Sequence, residues 1–454
     1  MRFIFAFLCL FASGARALTP PKIAPIPPPT AAASIVLDLD SGRILESKNP
    51  RARLFPASTT KIMTCLVAME RGDLNQVIRA GNRAANTGES GIGLLEGENH
   101  TLRELIEAAL VHSANDACVA IAEGVGGDQK TFVGWMNQKA RDLGCRDTHF
   151  VNPHGLHDPQ HFTSAHDLAL IARAALRAPF LSEVAHLKVA TIGGNWKIGP
   201  TRVLLNRNKL LFRWAACDGF KTGYTRQAGN CLVASASKFD RGSRNKWRLI
   251  AVVLKTAPGK SFGECQQLLQ KSFAKYRPET VIAGGEIVAE KPVSGGAFAL
   301  EAQASRALSL PLSALERRTL QRRIHFLKLT APLQKGAVVG NVEYLATPNA
   351  RPGAAPRRIA QVALIARSDV PQTLLARTVP TLGNQFGPVS RGARLLLLAL
   401  ICGAAALTLL SKRKHHVRRR THPAFQPAAL EPRNGASNIP KKSARNPNIR
   451  NPRN

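Results

Sequence analysis

Apolar residues recur along the chain with two different spacings, one typical of strands and one typical of helices. Residues 34–40 read as a strand, Ser41-Gly42 as a turn, and residues 43–46 as the returning strand of a hairpin. Apolar residues then recur at intervals of three and four, which predicts helices over residues 60–71, 102–123, 129–143 and 165–177. From Asp218 the pattern predicts strands over residues 230–237 and 248–254, and a last helix over residues 262–276. The order of elements predicts a mixed α/β domain over residues 33–276.

The pattern of apolar residues changes after this domain. Short Val- and Ile-rich runs between Gly and Pro predict a small all-β domain over residues 277–366, followed by a Pro-containing linker over residues 367–393. Residues 394–411 contain an uncharged apolar run, Leu395–Leu410, which predicts a transmembrane helix. Lys and Arg are more frequent after this run than before it, so the basic tail, residues 412–454, is expected in the cytoplasm. A buried core helix is the alternative for residues 394–411.

The N-terminus has the pattern of an export signal. Arg2 precedes an apolar stretch, and Ala15-Arg16-Ala17 fits a cleavage site, so residues 1–17 are predicted to be a signal peptide. Residues 18–32 form a Pro-rich spacer, which argues against a buried first helix. We therefore expect an exported protein, anchored in the cell membrane, with the folded domains outside the cytoplasm.

The net charge of the sequence limits the kinds of binding partner further. The sequence has 63 Lys or Arg against 29 Asp or Glu, a formal net charge of +34. Such charge is commonly a solvated surface, and it also suits attraction to acidic wall polymers or lipid head groups. Export argues against nucleic acid as a partner. Outside the predicted signal and membrane segments six cysteines remain; their spacing fits no metal site, and their apolar neighbours favour buried thiols.

The first candidate for chemistry lies where the first predicted helix begins. Residues 55–64, FPASTTKIMT, place Ser58 three positions before Lys61, so that both side chains share one helical face. A serine hydroxyl is a poor nucleophile without an adjacent base. Lys61 can act as that base if burial or a nearby cation lowers its pKa toward neutrality. Taken alone, this spacing is more often an N-capping serine followed by an exposed lysine.

Two further segments favour the catalytic interpretation of Ser58 and Lys61 over the N-capping one. Residues 112–116, HSAND, place Ser113 and Asn115 two apart, where a hydroxyl can relay a proton and an amide can hold a peptide. Residues 218–225, DGFKTGYT, bring Lys221-Thr222-Gly223 into a predicted strand. A cation and a hydroxyl there can bind a carboxylate, and the glycine lets a substrate approach the backbone. The three segments in this order match the motif set of penicillin-binding proteins and serine β-lactamases.

With these motifs the chain resembles the low-molecular-mass penicillin-binding proteins that are D-Ala-D-Ala carboxypeptidases. The likeness runs from about Ala33 to Ala366 and includes further family strings at residues 150–156, 162–168, 206–211, 228–230, 232–236 and 329–336. It implies an α/β, penicillin-binding/transpeptidase-like (β-lactamase-like) domain in which an antiparallel sheet packs with helices. The small β domain would hold this catalytic domain away from the membrane.

The resemblance implies an activity and its participants. The chain would remove the terminal D-alanine from peptidoglycan stem peptides through an acyl-enzyme, and β-lactam antibiotics would acylate the same serine. Ser58 would be the nucleophile, Lys61 its base and Ser113 a proton relay. No metal and no cofactor are implied.

Substrate-binding roles follow from the same likeness. Asn115 would bond the substrate amide, and Lys221 and Thr222, beside Gly223, would take the terminal carboxylate. The backbone N–H groups of Ser58 and Tyr224 would form the oxyanion hole. Two residues, His154 and Asp167, match a loop below the site and would support it.

Two rival functions share some of these features. A class A β-lactamase would need a Glu followed four residues later by Asn between Ser113 and Lys221. Glu183 is the only Glu between Gly155 and Lys221, and residue 187 is Leu. The second rival is a non-catalytic wall-binding membrane anchor, against which the intact motifs argue. One departure from the family pattern lies at residues 258–260, where Pro-Gly-Lys replaces an Asp and an Arg that often follow this strand.

Overall fold

The computed structural model describes residues 30–193, 200–239, 246–347 and 354–373. The predicted signal peptide, most of the Pro-rich spacer and of the linker, the predicted membrane segment at residues 394–411 and the basic tail lie outside these ranges. Within them, none of the helices has both the length and the apolar character required to cross a bilayer.

Both halves of the described chain contain strands. Those of the first half are β1 (Ala33–Asp38), β2 (Ile44–Lys48), β3 (Val77–Arg79), β4 (Asn99–Thr101), β5 (Val189–Ile192), β6 (Arg202–Leu205), β7 (Cys217–Thr225), β8 (Gly229–Phe239) and β9 (Lys246–Thr256). Those of the second half are β10 (Tyr276–Ile282), β11 (Ile287–Lys291), β12 (Leu300–Ala304), β13 (Leu308–Ser313), β14 (Gln321–Phe326), β15 (Val338–Ala346) and β16 (Arg357–Ala366).

Helices are concentrated in the first half. They are α1 (Lys61–Arg71), α2 (Asn82–Ala85), α3 (Leu102–Glu107), α4 (Asn115–Gly126), α5 (Gln129–Asp142), α6 (Ala165–Arg177), α7 (Pro179–His186), α8 (Leu210–Arg213), α9 (Ser261–Lys275) and, in the second half, α10 (Ala314–Arg318). Apart from the predicted helix over residues 102–123, the helices and strands predicted from the sequence are present, with ends shifted by a few residues.

The central sheet of the first half is buried on both faces. Its five antiparallel strands lie in the order β2-β1-β9-β8-β7. Because successive side chains of a strand point to opposite faces, Ile35 and Leu37 join the core formed with the helices around α1 and α6. Val36, between them, packs instead in a second core with Leu269 and Phe273 of α9. The sheet therefore lies between two layers of helices, with β7 at one edge.

The second half forms a β domain with its own core. Strands β11-β12-β16-β15-β14 make an antiparallel sheet, and β10 pairs with β13 in a separate ribbon. Buried aliphatic residues such as Leu300, Leu310, Val342 and Leu364 fill the space between them. A mainly β domain is thus present where the sequence predicted an all-β one, with the short helix α10 as an addition.

Polar contacts join the two halves where the chain passes from α9 into β10. The Arg43 guanidinium donates to the Pro311 carbonyl and pairs with the Glu316 carboxylate, and both side chains are largely buried. The Tyr276 hydroxyl donates to the Leu45 carbonyl at 3.0 Å. These contacts fix the β1–β2 hairpin against the first strands of the β domain.

One sequence-based prediction is wrong. Residues 102–123 do not form one helix: α3 ends at Glu107, a π-helical turn covers residues 108–112, and α4 begins only at Asn115. Ser113 lies between them with φ +70°, a left-handed conformation that interrupts helical hydrogen bonding. The apolar period continues through the break because residues on both sides of it are buried in the same core.

Candidate active site

Ser58 lies on the turn that leads into α1. Residues 57–60 form a 3₁₀ turn, and Ala57 has a positive φ of 49°. Gly155 packs against this turn so closely that a Cβ atom there would lie 2.0 Å from the Ala57 carbonyl oxygen. Only glycine fits at that contact, which holds the segment carrying Ser58 against the loop that contains His154.

Lys61 is fully buried and its ammonium group has three acceptors. Its Nζ lies 2.9 Å from Ser58 Oγ, 2.7 Å from Asn115 Oδ1 and 2.7 Å from the His154 carbonyl oxygen. Burial in this site lowers the pKa of Lys61 to about 8. A lysine at such a pKa is partly neutral near physiological pH, so it can accept a proton from a serine hydroxyl 2.9 Å away.

Ser113 and Asn115 stand at the break between the π-helical turn and α4. The backbone N–H of Asn115 donates to the Ser90 carbonyl at 2.6 Å, and its side-chain amide donates to the Gly88 carbonyl at 3.1 Å. Ser113 and Asn115 both line the same cleft as Ser58. The helix break thus brings a hydroxyl and an amide to the cleft.

Asp116, which sequence reasoning did not select, organises the wall of the cleft. Its buried Oδ2 accepts hydrogen bonds from the backbone N–H groups of Ile92, Gly93 and Leu94, at 2.9, 2.9 and 3.1 Å. A carboxylate that accepts several backbone N–H groups fixes the path of that backbone. Asp116 therefore holds the segment that includes Ser90 against Asn115. Its place directly after Asn115 in the HSAND string was the available sequence signal.

Strand β7 forms the opposite wall. Lys221 is fully buried; burial and then the neighbouring Lys61 charge lower its pKa well below the ordinary lysine value. Its Nζ donates to the Thr222 carbonyl at 3.0 Å. A Cβ atom at Gly223 would lie 3.0 Å from the Ser58 backbone nitrogen, so the glycine permits the close approach of β7 to Ser58. Tyr224 is exposed at the rim.

A cleft of about 500 Å³ lies between these walls. Its lining includes six of the predicted site residues: Ser58, Ser113, Asn115, Thr222, Gly223 and Tyr224. Lys61 and Lys221 lie buried beside it. Arg207 also lines the cleft, and its charge contributes, after burial, to the lowered pKa of both lysines. Arg207 belongs to the family string at residues 206–211, but nothing in the sequence pattern predicts a role for it.

His154 contributes its backbone to the site. Its carbonyl accepts from Lys61, while burial and then the Lys61 charge lower the pKa of its imidazole to about 3. The neighbouring His161 has a pKa lowered by burial to about 4, and its Nε2 lies 2.9 Å from the Thr60 hydroxyl. Both buried rings are therefore neutral near physiological pH.

Asp167 is not brought to the cleft. Its buried Oδ2 accepts from the Asp147 backbone N–H at 2.7 Å and from the Thr148 hydroxyl at 2.9 Å. Those residues begin the segment that leads to His154. Asp167 thus anchors the start of the segment that leads to His154.

Comparison with known proteins identifies the family. Residues 21–257, more than half of the chain, match the family model described as D-alanyl-D-alanine carboxypeptidase. The chain belongs to the D-alanyl-D-alanine carboxypeptidase family. Residues 276–372 match a second model, the C-terminal domain of penicillin-binding protein 5.

Relatives within this family cover most of the described chain. D-alanyl-D-alanine carboxypeptidase DacF of Bacillus subtilis is 32% identical over 326 residues, 69% of this chain and 80% of that protein. DacC of Escherichia coli is 33% identical over 357 residues, 75% of this chain and 85% of that protein. The crystal structure of penicillin-binding protein 5 from Haemophilus influenzae superposes with a TM-score of 0.66 at 31% identity, covering 77% of this chain and 99% of that one.

Family membership confirms the function predicted from the motifs. The protein is a serine-type D-Ala-D-Ala carboxypeptidase, a peptidase of the penicillin-binding group, which implies a peptidoglycan substrate and binding of β-lactams. The α/β transpeptidase-like fold followed by a β domain is confirmed as well. Neither the β-lactamase nor the wall-binding anchor is favoured by these comparisons.

Proposed function

We propose that Ser58 carries the acyl-enzyme of this carboxypeptidase and that Lys61 is its base. The observation that carries this assignment is the 2.9 Å contact between Lys61 Nζ and Ser58 Oγ, together with the burial that lowers the pKa of Lys61 to about 8. The substrate is a peptidoglycan stem peptide that ends in D-Ala-D-Ala.

Acylation begins with proton transfer from the Ser58 hydroxyl to neutral Lys61. Ser58 Oγ attacks the carbonyl carbon of the penultimate D-Ala, and the oxygen of that carbonyl becomes an oxyanion. The backbone N–H groups of Ser58 and Tyr224 stabilise it. Ser113, in the same cleft, relays the proton from Lys61 to the leaving amine of the terminal D-Ala, and the C–N bond breaks.

Substrate recognition divides between the two walls. Lys221 and Thr222 bind the terminal carboxylate, whose charge compensates the buried ammonium group of Lys221. Asn115 bonds the amide of the substrate backbone, while Gly223 leaves room for the peptide beside β7. His154 and Asp167 have supporting roles, through the Lys61 contact of the His154 carbonyl and through the loop bonds of Asp167.

Deacylation reverses the proton path. Water loses a proton to Lys61 and attacks the ester carbonyl, and Ser58 Oγ leaves with the proton that returns from Lys61. A β-lactam acylates Ser58 in the same first step, because it presents a strained amide and a carboxylate in corresponding positions, and it inhibits the enzyme by occupying the serine. No step requires a metal or a cofactor.

One experiment tests the assignment directly. The full-length protein is incubated with a fluorescent penicillin and, separately, with a peptide that ends in D-Ala-D-Ala, and the released D-alanine is measured. We expect one covalent adduct, mapped by mass spectrometry to the peptide that contains Ser58. An adduct on another residue, with D-alanine release intact, would disprove the assignment.

We further propose that the protein is exported and anchored at its C-terminus. Residues 1–17 would be removed as a signal peptide, residues 33–276 and 277–366 would lie outside the cytoplasm, and residues 394–411 would span the membrane with residues 412–454 inside. Support comes from the apolar run Leu395–Leu410, which carries no charge, and from the basic residues after it. Access to peptidoglycan also requires export, and nucleic acid is then no partner.

Deletion of residues 391–454 tests the anchor. The truncated protein should be released from membranes and keep its carboxypeptidase activity. In the full-length protein, a cysteine placed in the tail should resist an impermeant thiol reagent added to intact cells. Ready labelling of that cysteine, or release of the full-length protein by high salt alone, would replace the spanning segment with a peripheral anchor.

A further inference from the structure

A second hollow lies beside the turn between β7 and β8. It has a volume of about 350 Å³ and is lined by Leu54, Phe55, Phe162 and Ala228, with Arg53 and Lys255 contributing positive charge. We name these six residues and the space between them the hairpin pocket. It is separate from the cleft at Ser58, but the two are neighbours, since the Cys231 thiol of the cleft contacts the carbonyls of both Phe55 and Ala228.

The direction of β7 leads from the proposed carboxylate site toward this pocket. With the terminal carboxylate at Lys221 and Thr222 and the scissile carbonyl at the Tyr224 N–H, the rest of the peptide continues along β7 toward Thr225. Strand β7 ends there, and residues 226–228 form the turn to β8. At about 3.3 Å per extended residue, the first one or two residues N-terminal to the penultimate D-Ala reach this turn.

The charge at the pocket suits an anion. Asp147 is the carboxylate closest to Arg53, with Nε to Oδ1 at 3.5 Å, but it also pairs with Arg51 at 3.3 Å. One carboxylate is thus shared by two guanidinium groups. Lys255 is exposed and has no ion pair among the described residues. The remaining positive charge stands over an apolar floor, where the Arg53 guanidinium lies 5.0 Å from the centre of the Phe162 ring.

We propose that the hairpin pocket is a subsite for the stem peptide on the N-terminal side of the scissile bond. Lys255 and Arg53 bind a carboxylate carried by one of the two residues that precede the penultimate D-Ala, and the apolar floor packs against its aliphatic portion. This inference rests on the proposed direction of the peptide along β7, and it adds a determinant of substrate choice that the motifs do not contain.

Matched peptides measure the contribution of this carboxylate to hydrolysis separately from that of the terminal carboxylate. The first is a stem pentapeptide, Ala-γ-Glu-diaminopimelate-D-Ala-D-Ala, with free carboxylates on its second and third residues; the second is the same peptide with those carboxylates amidated. A blocked tripeptide, acyl-Lys-D-Ala-D-Ala, retains only the terminal carboxylate. We expect the wild-type enzyme to have a kcat/KM about tenfold higher for the free pentapeptide than for its amide, mainly through KM, and the ratio to shrink at high salt.

Charge-removing variants of the two basic residues, with one control variant, test the subsite. Arg53→Gln and Lys255→Gln remove the charge and retain a polar side chain, and the double variant should treat the two pentapeptides alike while it hydrolyses the tripeptide at the wild-type rate. Lys130→Gln, an exposed residue of α5, should retain the wild-type preference. Equal rates on both pentapeptides in the wild type, or equal losses on all three substrates in the double variant, would overturn the subsite. Failure of the wild type on the tripeptide would instead contradict the proposed function.

Discussion

Two lysines are buried beside one cleft, and their surroundings differ. Lys61 donates to a hydroxyl, an amide oxygen and a backbone carbonyl, so each of its three N–H directions has an acceptor. For Lys221 the described residues provide one hydrogen bond, to the carbonyl of Thr222. Burial lowers the pKa of both side chains. A fully bonded lysine is held in one orientation for proton transfer, whereas a lysine with unused donors gains most when an anion arrives.

The largest expected effect belongs to Ser58, the proposed nucleophile that Lys61 contacts. Ser58→Ala removes the attacking oxygen, so both penicillin labelling and D-alanine release should fall to background. Intact-mass measurement after incubation with penicillin gives the readout, and circular dichroism checks that the fold is retained. A variant that labels as the wild type does would show that the Ser58–Lys61 pair is not the reacting pair.

The next effect tests Lys221 as the receptor for an anion. Lys221→Ala should lower kcat/KM by about 2–5 kcal/mol, the scale for losing one partner of a buried charge pair. A substrate whose terminal carboxylate is amidated should lose much less on this substitution, because it has no charge to pair. If both substrates lose equally, Lys221 does not bind the carboxylate. Lys209→Ala, an exposed lysine before α8, serves as the matched control.

A pH profile tests Lys61 as the base. The reactive form is the neutral amine, so acylation should rise with pH up to the Lys61 pKa of about 8. Below that value each pH unit should reduce the acylation rate about tenfold, as the neutral fraction falls. Single-turnover acylation by a penicillin between pH 6 and 9 provides the measurement. A rate that stays flat across this range is incompatible with Lys61 as the general base.

The smallest effect concerns Asp116, whose charge is among the minor contributions that raise the pKa of Lys61. Asp116→Asn should therefore move the acidic limb of the acylation profile to lower pH. It should also weaken the bonds to residues 92–94, at a cost of about 2 kcal/mol in the free energy of unfolding. The pH shift distinguishes electrostatic positioning from a structural effect alone. Asp128→Asn, at the exposed start of α5, should leave the acidic limb unchanged.

The sequence predicted the chemistry more fully than the backbone that holds it. Ser58 and Lys61 can be recognised in the sequence as a pair, because a spacing of three on a helix brings two side chains together. The break at Ser113 cannot be recognised in this way, since the apolar pattern continues through it. The contacts at the break join Asn115 and Asp116 to residues more than twenty positions earlier. Arg207 and Asp116 were missed for the same reason. Their importance comes from tertiary contacts that periodicity does not record.

The six cysteines of the described chain are all buried and none is paired. Burial raises the pKa of their thiols, to about 11 for Cys118 and Cys231, so the folded protein offers little thiolate to an oxidant. In an oxidising compartment, damage would then be limited by how often the domain opens. A chain that fails to fold exposes these six thiols at once, so it should form mixed disulfides much faster than the folded protein does. At the exported location proposed above, thiol reactivity would therefore report the misfolded fraction of this enzyme.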